Sequence, residues 1–72
     1  MLVNGIVVFE DLEGGFWGIV GSDGARYEVE NSLPPDIQRP GASIEAEVEP
    51  TRSVTIRQWG SPVKVLSVKL LD

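Results

Sequence analysis

The chain contains no cysteine and no histidine. Without cysteine there is no disulfide to staple the fold and no thiolate to bind metal or attack a substrate. Without histidine the usual general base near neutral pH is missing, and so is the commonest zinc ligand. Basic residues are few: six lysines and arginines stand against eleven aspartates and glutamates, a net charge of −5. A polyphosphate is repelled at long range by such a charge, whereas a cationic partner is favoured. Aromatics are scarce too, with two tryptophans, two phenylalanines and one tyrosine. No apolar run approaches the ~20 residues of a membrane-spanning helix, and Met1 to Gly5 has no basic leader. The expectation is a soluble cytoplasmic protein with no membrane contact.

Seventy-two residues make one domain, residues 1–72. A chain this short buries only ~60% of its unfolded surface and has little core to give up to a deep cavity. No stretch of ~10 residues carries the helical period. Eight glycines and five prolines instead divide the chain into short, valine-rich pieces that suit strands. The pattern predicts strands over 2–10, 16–21, 25–30, 43–49, 53–59 and 63–71. Gly5 suggests a bend or bulge within the first. Ser22-Asp23-Gly24 forms a tight turn in which Gly24 takes positive φ. Ser32 to Gly41 holds Pro34, Pro35 and Pro40, so it is no regular strand. Leu33 and Ile37 are four apart, and one helical turn brings both over an open barrel end as a plug.

The fourth strand alternates strictly, with Ile44, Ala46 and Val48 against Glu45, Glu47 and Glu49. A three-residue loop at Pro50-Thr51-Arg52 then sets a hairpin register. Glu45 faces Arg57 and Glu47 faces Thr55, while Val48 opposes Val54 and Ala46 opposes Ile56. Trp59 falls on the outer face with the glutamates. The expected core is Val7, Ile19, Val29, Leu33, Ile37, Ile44, Val48, Val54, Ile56, Val65 and Val68.

This order of elements looks like a small five- or six-stranded OB-like barrel, all-β, with a proline-rich plug between its third and fourth strands. Within that group it resembles the bacterial cold-shock domain. The resemblance rests on Gly5-Ile6-Val7-Val8-Phe9, Gly15-Phe16-Trp17-Gly18-Ile19, Asp23-Gly24, Pro40-Gly41-Ala42-Ser43-Ile44 and Pro62 to Val68. That family stacks single-stranded bases on rings from two neighbouring strands. Here Phe16 keeps the first ring, and Phe9 is the other that can be carried over. Gly18 replaces the next, Trp17 stands where the family has glycine, and Glu28, Glu30 and Asn31 hold the second motif's aromatic and histidine positions. Residues 51–60 are an insertion without a family counterpart. The Gly-Phe-Trp-Gly-Ile-Val-Gly run, with Tyr27, Asn31 and Ile56-Arg57 to Trp59-Gly60, also looks like small bacterial β-barrel domains of unassigned function.

Candidate binding residues are Phe16, Trp17, Trp59, Arg57, Glu45 and Glu47. Strand alternation puts Phe16 and Trp17 on opposite faces. Either tryptophan could instead close the barrel, as small barrels need large side chains. The glutamate row could grip a cationic peptide, or simply stay solvated and discourage edge pairing. Its ~6.6–6.8 Å pitch is too wide for three carboxylates to share one ion. Asp11, Glu13 and Asp23 lack the glycine-centred calcium loop. No metal and no cofactor is expected. Nor is catalysis, because no nucleophile–base pair is present. The leading expectation is a non-catalytic interaction module for a protein or peptide, acting through a sheet edge or through the surface around Phe16 and Trp59. The alternative is weak single-stranded nucleic-acid binding, against which the acidic substitutions weigh.

Overall fold

A computed structural model of the chain describes residues 1–12, 14–52 and 59–71. Its strands are β1 (Leu2–Glu10), β2 (Phe16–Gly21), β3 (Arg26–Val29), β4 (Ser43–Pro50) and β5 (Ser61–Leu70). They close into a barrel in the order β1-β2-β3-β5-β4, with β4 returning to β1. All pairings are antiparallel except β3 with β5. The result is an all-β domain consistent with a small OB-like barrel. No helix among the described residues is long and apolar enough to cross a membrane.

Alternation builds the interior. Val3 and Val7 of β1, Ile19 of β2, Ile44, Ala46 and Val48 of β4, and Val63 and Val65 of β5 share one buried cluster. Burying each larger aliphatic side chain contributes ~1.5–3 kcal/mol. Val68 only flanks this core, and Val54 and Ile56 lie outside the described residues. The proline segment behaves as a plug: Leu33 and Ile37 are both buried against the core. It is a turn rather than a helix, with the Ile37 N–H donating to the Pro34 carbonyl at 2.9 Å. It is tied to β1 through Gly41, whose N–H donates to the Val7 carbonyl at 2.8 Å.

The β2–β3 hairpin has its expected turn. Gly24 has φ 90°, its N–H donates to the Gly21 carbonyl, and Asp23 accepts from the Ala25 N–H. Gly5, however, carries no bulge. It pairs with Gly21 on one side and Ile44 on the other without a register break. A Cβ there would lie 2.3 Å from the Val20 carbonyl oxygen, so glycine is required by the close approach of two backbones. The irregularity lies instead between β4 and β5, at Glu47 and Val48.

The expected strand over 53–59 falls largely outside the described residues. The hairpin register proposed for it is overturned on the β4 side. Glu45 stands between Asn4 of β1 and Lys69 of β5, so both edges of β4 are filled. Its cross-strand cation is Lys69, at 3.7 Å, rather than Arg57. Glu49 likewise faces Lys64. Each of the five described strands has two neighbours, although β3 and β5 pair over only three residues each.

Candidate functional site

On β2 the inward side chains are Trp17 and Ile19, and the outward positions are Phe16, Gly18 and Val20. On β3 the outward partners are Glu28, opposite Gly18, and Arg26, opposite Val20. This outward face is the one on which the cold-shock resemblance would place its rings.

Trp59 lies across that face, not beside the glutamate row. A Cβ on Gly18 would meet the indole at 2.6 Å, so Gly18 is the floor on which Trp59 rests. Phe16 meets the indole edge-on, with ring centroids 5.4 Å apart, and the Arg26 guanidinium sits 5.6 Å from its centroid. Such ring and cation contacts add ~0.5–1.5 and ~0.5–1 kcal/mol. Gly60 lets the chain descend onto β3, because a Cβ there would lie 2.7 Å from the Arg26 carbonyl oxygen. Trp59 is half-buried, and Phe16, although outward, is only 7% exposed. Gly18 thus leaves room for a ring that arrives from the segment before β5. In a Trp17→Phe background, Gly18→Ala should push the Trp59 indole off its floor. The expected readout is a red-shifted, more quenchable emission with a stability loss of only ~1 kcal/mol. An unchanged spectrum would contradict the contact.

Phe16 and Trp17 also wall an open groove of about 680 Å³ between the start of β2, the end of β3 and the plug. That size suits a small ligand or a few peptide side chains. Glu28 and Glu30 are its acidic lining, and no lysine or arginine lines it among the described residues. Glu28 is 2% exposed and sits deep, whereas Glu30 is exposed and accepts from the Thr51 hydroxyl at 2.7 Å. Asn31, at the groove's rim, is a latch. Its amide donates to the Val65 carbonyl at 2.8 Å and accepts from the Val65 N–H at 2.9 Å. It continues the β3–β5 ladder with a side chain where the backbone has turned away.

Trp17 shows its other side to Phe9, with centroids 5.1 Å apart. Phe9 and Leu12 remain exposed, at 48% and 45%. Glu45 and Glu47 are elsewhere, on the outward side of β4 beside Leu2, Ser67 and Lys69. The Met1 amino group lies 2.6 Å from the Glu47 carboxylate. Arg57 lies outside the described residues. The structure therefore joins Phe16 to Trp59 on the outward face, leaves Trp17 on the other face of β2 where it shares only the groove with Phe16, and places Glu45 and Glu47 elsewhere. Among the described residues no group of three or more carboxylates is placed to hold a metal ion, and Glu13 of the Asp11–Asp23 set is not described. Comparison with protein-family models, curated proteins and solved structures finds no match to this chain.

Proposed function

We propose that this barrel is a non-catalytic interaction module that binds a peptide segment of a partner protein in the groove beside Phe16 and Trp17. The observation that carries this reading is the groove's lining: aromatic walls run down to Glu28 and Glu30, with no basic group among the described lining residues. The absence of histidine and cysteine supports a binding role over a chemical one. The cold-shock resemblance sharpens the contrast. That family needs exposed rings and a cationic surround on this face, and here Phe16 lies beneath Trp59 while carboxylates flank it.

The test is a selection of peptides from a random library on the immobilised chain, followed by amide shift mapping. Selected peptides are expected to move the resonances of Trp17, Glu30 and Asn31. Oligothymidylate at low salt, where phosphate attraction is strongest, is expected to leave tryptophan emission unchanged. Peptides that perturb only β4, or quenching by oligothymidylate that fades as salt rises, would overturn the reading.

A further inference from the structure

We infer that the β2–β3 turn is a site of spontaneous backbone modification. Asp23 closes onto the backbone nitrogen of Gly24 as a succinimide and reopens as isoaspartate, while the fold withholds the same reaction from Asn4 and Asn31. The turn lies at the opposite end of the β2–β3 hairpin from the groove, so this chemistry is independent of what the groove binds.

The reaction needs an aspartate or asparagine followed by a small residue. Asn4 precedes Gly5, Asp23 precedes Gly24 and Asn31 precedes Ser32. A glycine nitrogen has no Cβ beside it to hinder attack on the preceding side chain. At the turn the Gly24 nitrogen adds to Cγ of Asp23. The N–Cγ bond forms, the Cγ–OH bond breaks, and the hydroxyl leaves with the amide proton as water. Water then reopens the ring. Addition at the side-chain carbonyl restores aspartate, and addition at the main-chain carbonyl leaves the chain running through Cγ as isoaspartate. No other reactant is consumed. The geometry favours Asp23. Its side chain folds over the Gly24 peptide, with Oδ1 accepting from the Ala25 N–H at 3.0 Å. That bond keeps the carboxyl group beside the nitrogen it must meet and polarises its carbonyl. Both residues are exposed, and a Cβ on Gly24 would meet nothing within 4 Å, so the ring has room to form. The bond that the Gly24 N–H must give up, to the Gly21 carbonyl at 2.9 Å, belongs to an exposed turn, where local opening is easiest. Asn4 carries the intrinsically more labile amide and is also exposed, yet it is held extended in β1. Extended backbone keeps its side chain away from the next nitrogen, and Gly5 is paired with both Gly21 and Ile44. Asn31 has its amide committed to Val65 by two hydrogen bonds.

The test ages the full chain at neutral pH below its melting midpoint, once folded and once in urea. Digestion after glutamate then separates residues 1–10, 14–28 and 31–45, which hold Asn4, Asp23 and Asn31 in turn. Isoaspartate is counted by methyl transfer from labelled S-adenosylmethionine with an isoaspartyl methyltransferase. Ageing continues until the chain in urea carries label in all three fragments, so that a blank in the folded chain is a result. In urea the label is expected to lead in 1–10. In the folded chain it is expected to lead in 14–28, with the rates in 1–10 and 31–45 cut at least about tenfold, a barrier rise of roughly 1.4 kcal/mol. The Ser22–Asp23 bond of the folded, aged chain should also resist a protease that cuts before aspartate. Asp23→Ser keeps an oxygen for the Ala25 N–H and should abolish the label in 14–28, with a circular dichroism melt confirming that it folds. Label undiminished in 1–10 or 31–45 of the folded chain would overturn the inference. So would a folded chain without label in 14–28, or label there that survives Asp23→Ser.

Discussion

Gly5→Ala should destabilise the barrel by about 2–3 kcal/mol and lower its thermal midpoint by roughly 10–20 °C. The added methyl would sit 2.3 Å from the Val20 carbonyl oxygen and 3.0 Å from the Gly21 Cα. Both are backbone atoms, so no side chain can swing aside. Relief requires β1 and β2 to part, at the point where β1 is paired to β2 and β4 at once. A domain of this size has a total stability of roughly 4–11 kcal/mol, so the loss is a large share of it. Gly24→Ala is the control. Its Cβ would meet nothing within 4 Å, and its penalty is the positive φ alone, about 1 kcal/mol. Circular dichroism melts of the two variants separate the causes. Equal midpoints would mean that the strands do not approach as closely as described.

The two glycines show what was legible in the sequence and what was not. Gly24 was readable because a turn is local: Ser22-Asp23-Gly24 names its own geometry. The alternation of β4 and the bounds of β1 and β2 were readable for the same reason, as each strand's period reports which face is buried. The four-residue spacing of Leu33 and Ile37 places both on the core, although the chain achieves it with a turn and not with a helical turn. Gly5 looked like a bulge because its true constraint comes from Val20, fifteen positions away, and no local pattern records that contact.

Non-local pairing also explains the misplaced hairpin. Sequential strands pair more often than not, so 53–59 was the natural neighbour for β4. β5 takes that side instead, after its first residues run parallel to β3. Half of the candidate site depends on this crossover. It brings Trp59 over Gly18 and Val65 to Asn31. Gly18 bares the outward face of β2, and Trp59 supplies the ring that covers it. Asn31 gives no such hint, because its partner Val65 lies 34 positions away.

Asn31→Leu should therefore destabilise the fold by about 2 kcal/mol, or roughly 8–16 °C in midpoint, with no ligand involved. The substitution keeps the bulk and removes both hydrogen bonds to Val65, leaving that residue's N–H and carbonyl to water beside the groove. Asn31→Asp separates the two bonds. An aspartate oxygen can still accept from the Val65 N–H, but at neutral pH the other faces the Val65 carbonyl, and two acceptors repel. Protonation turns that oxygen into a donor. The folded variant then holds its proton more tightly than the unfolded chain, so its folded pKa lies above the ordinary ~3.9. The stability gained from that proton is fully present below the unfolded value and is lost as pH rises through the folded one. Measured against the parent at each pH, the deficit of Asn31→Asp should be large near pH 7 and shrink below about pH 4. A deficit that does not change with pH would mean the amide donates to something other than the Val65 carbonyl. The latch also bears on the groove. A side chain committed to closing β3 against β5 is not available to stack on a base, and its loss should loosen the rim that carries Glu30. Asn31→Leu is then expected to weaken peptides selected at the groove even at temperatures where the barrel remains folded.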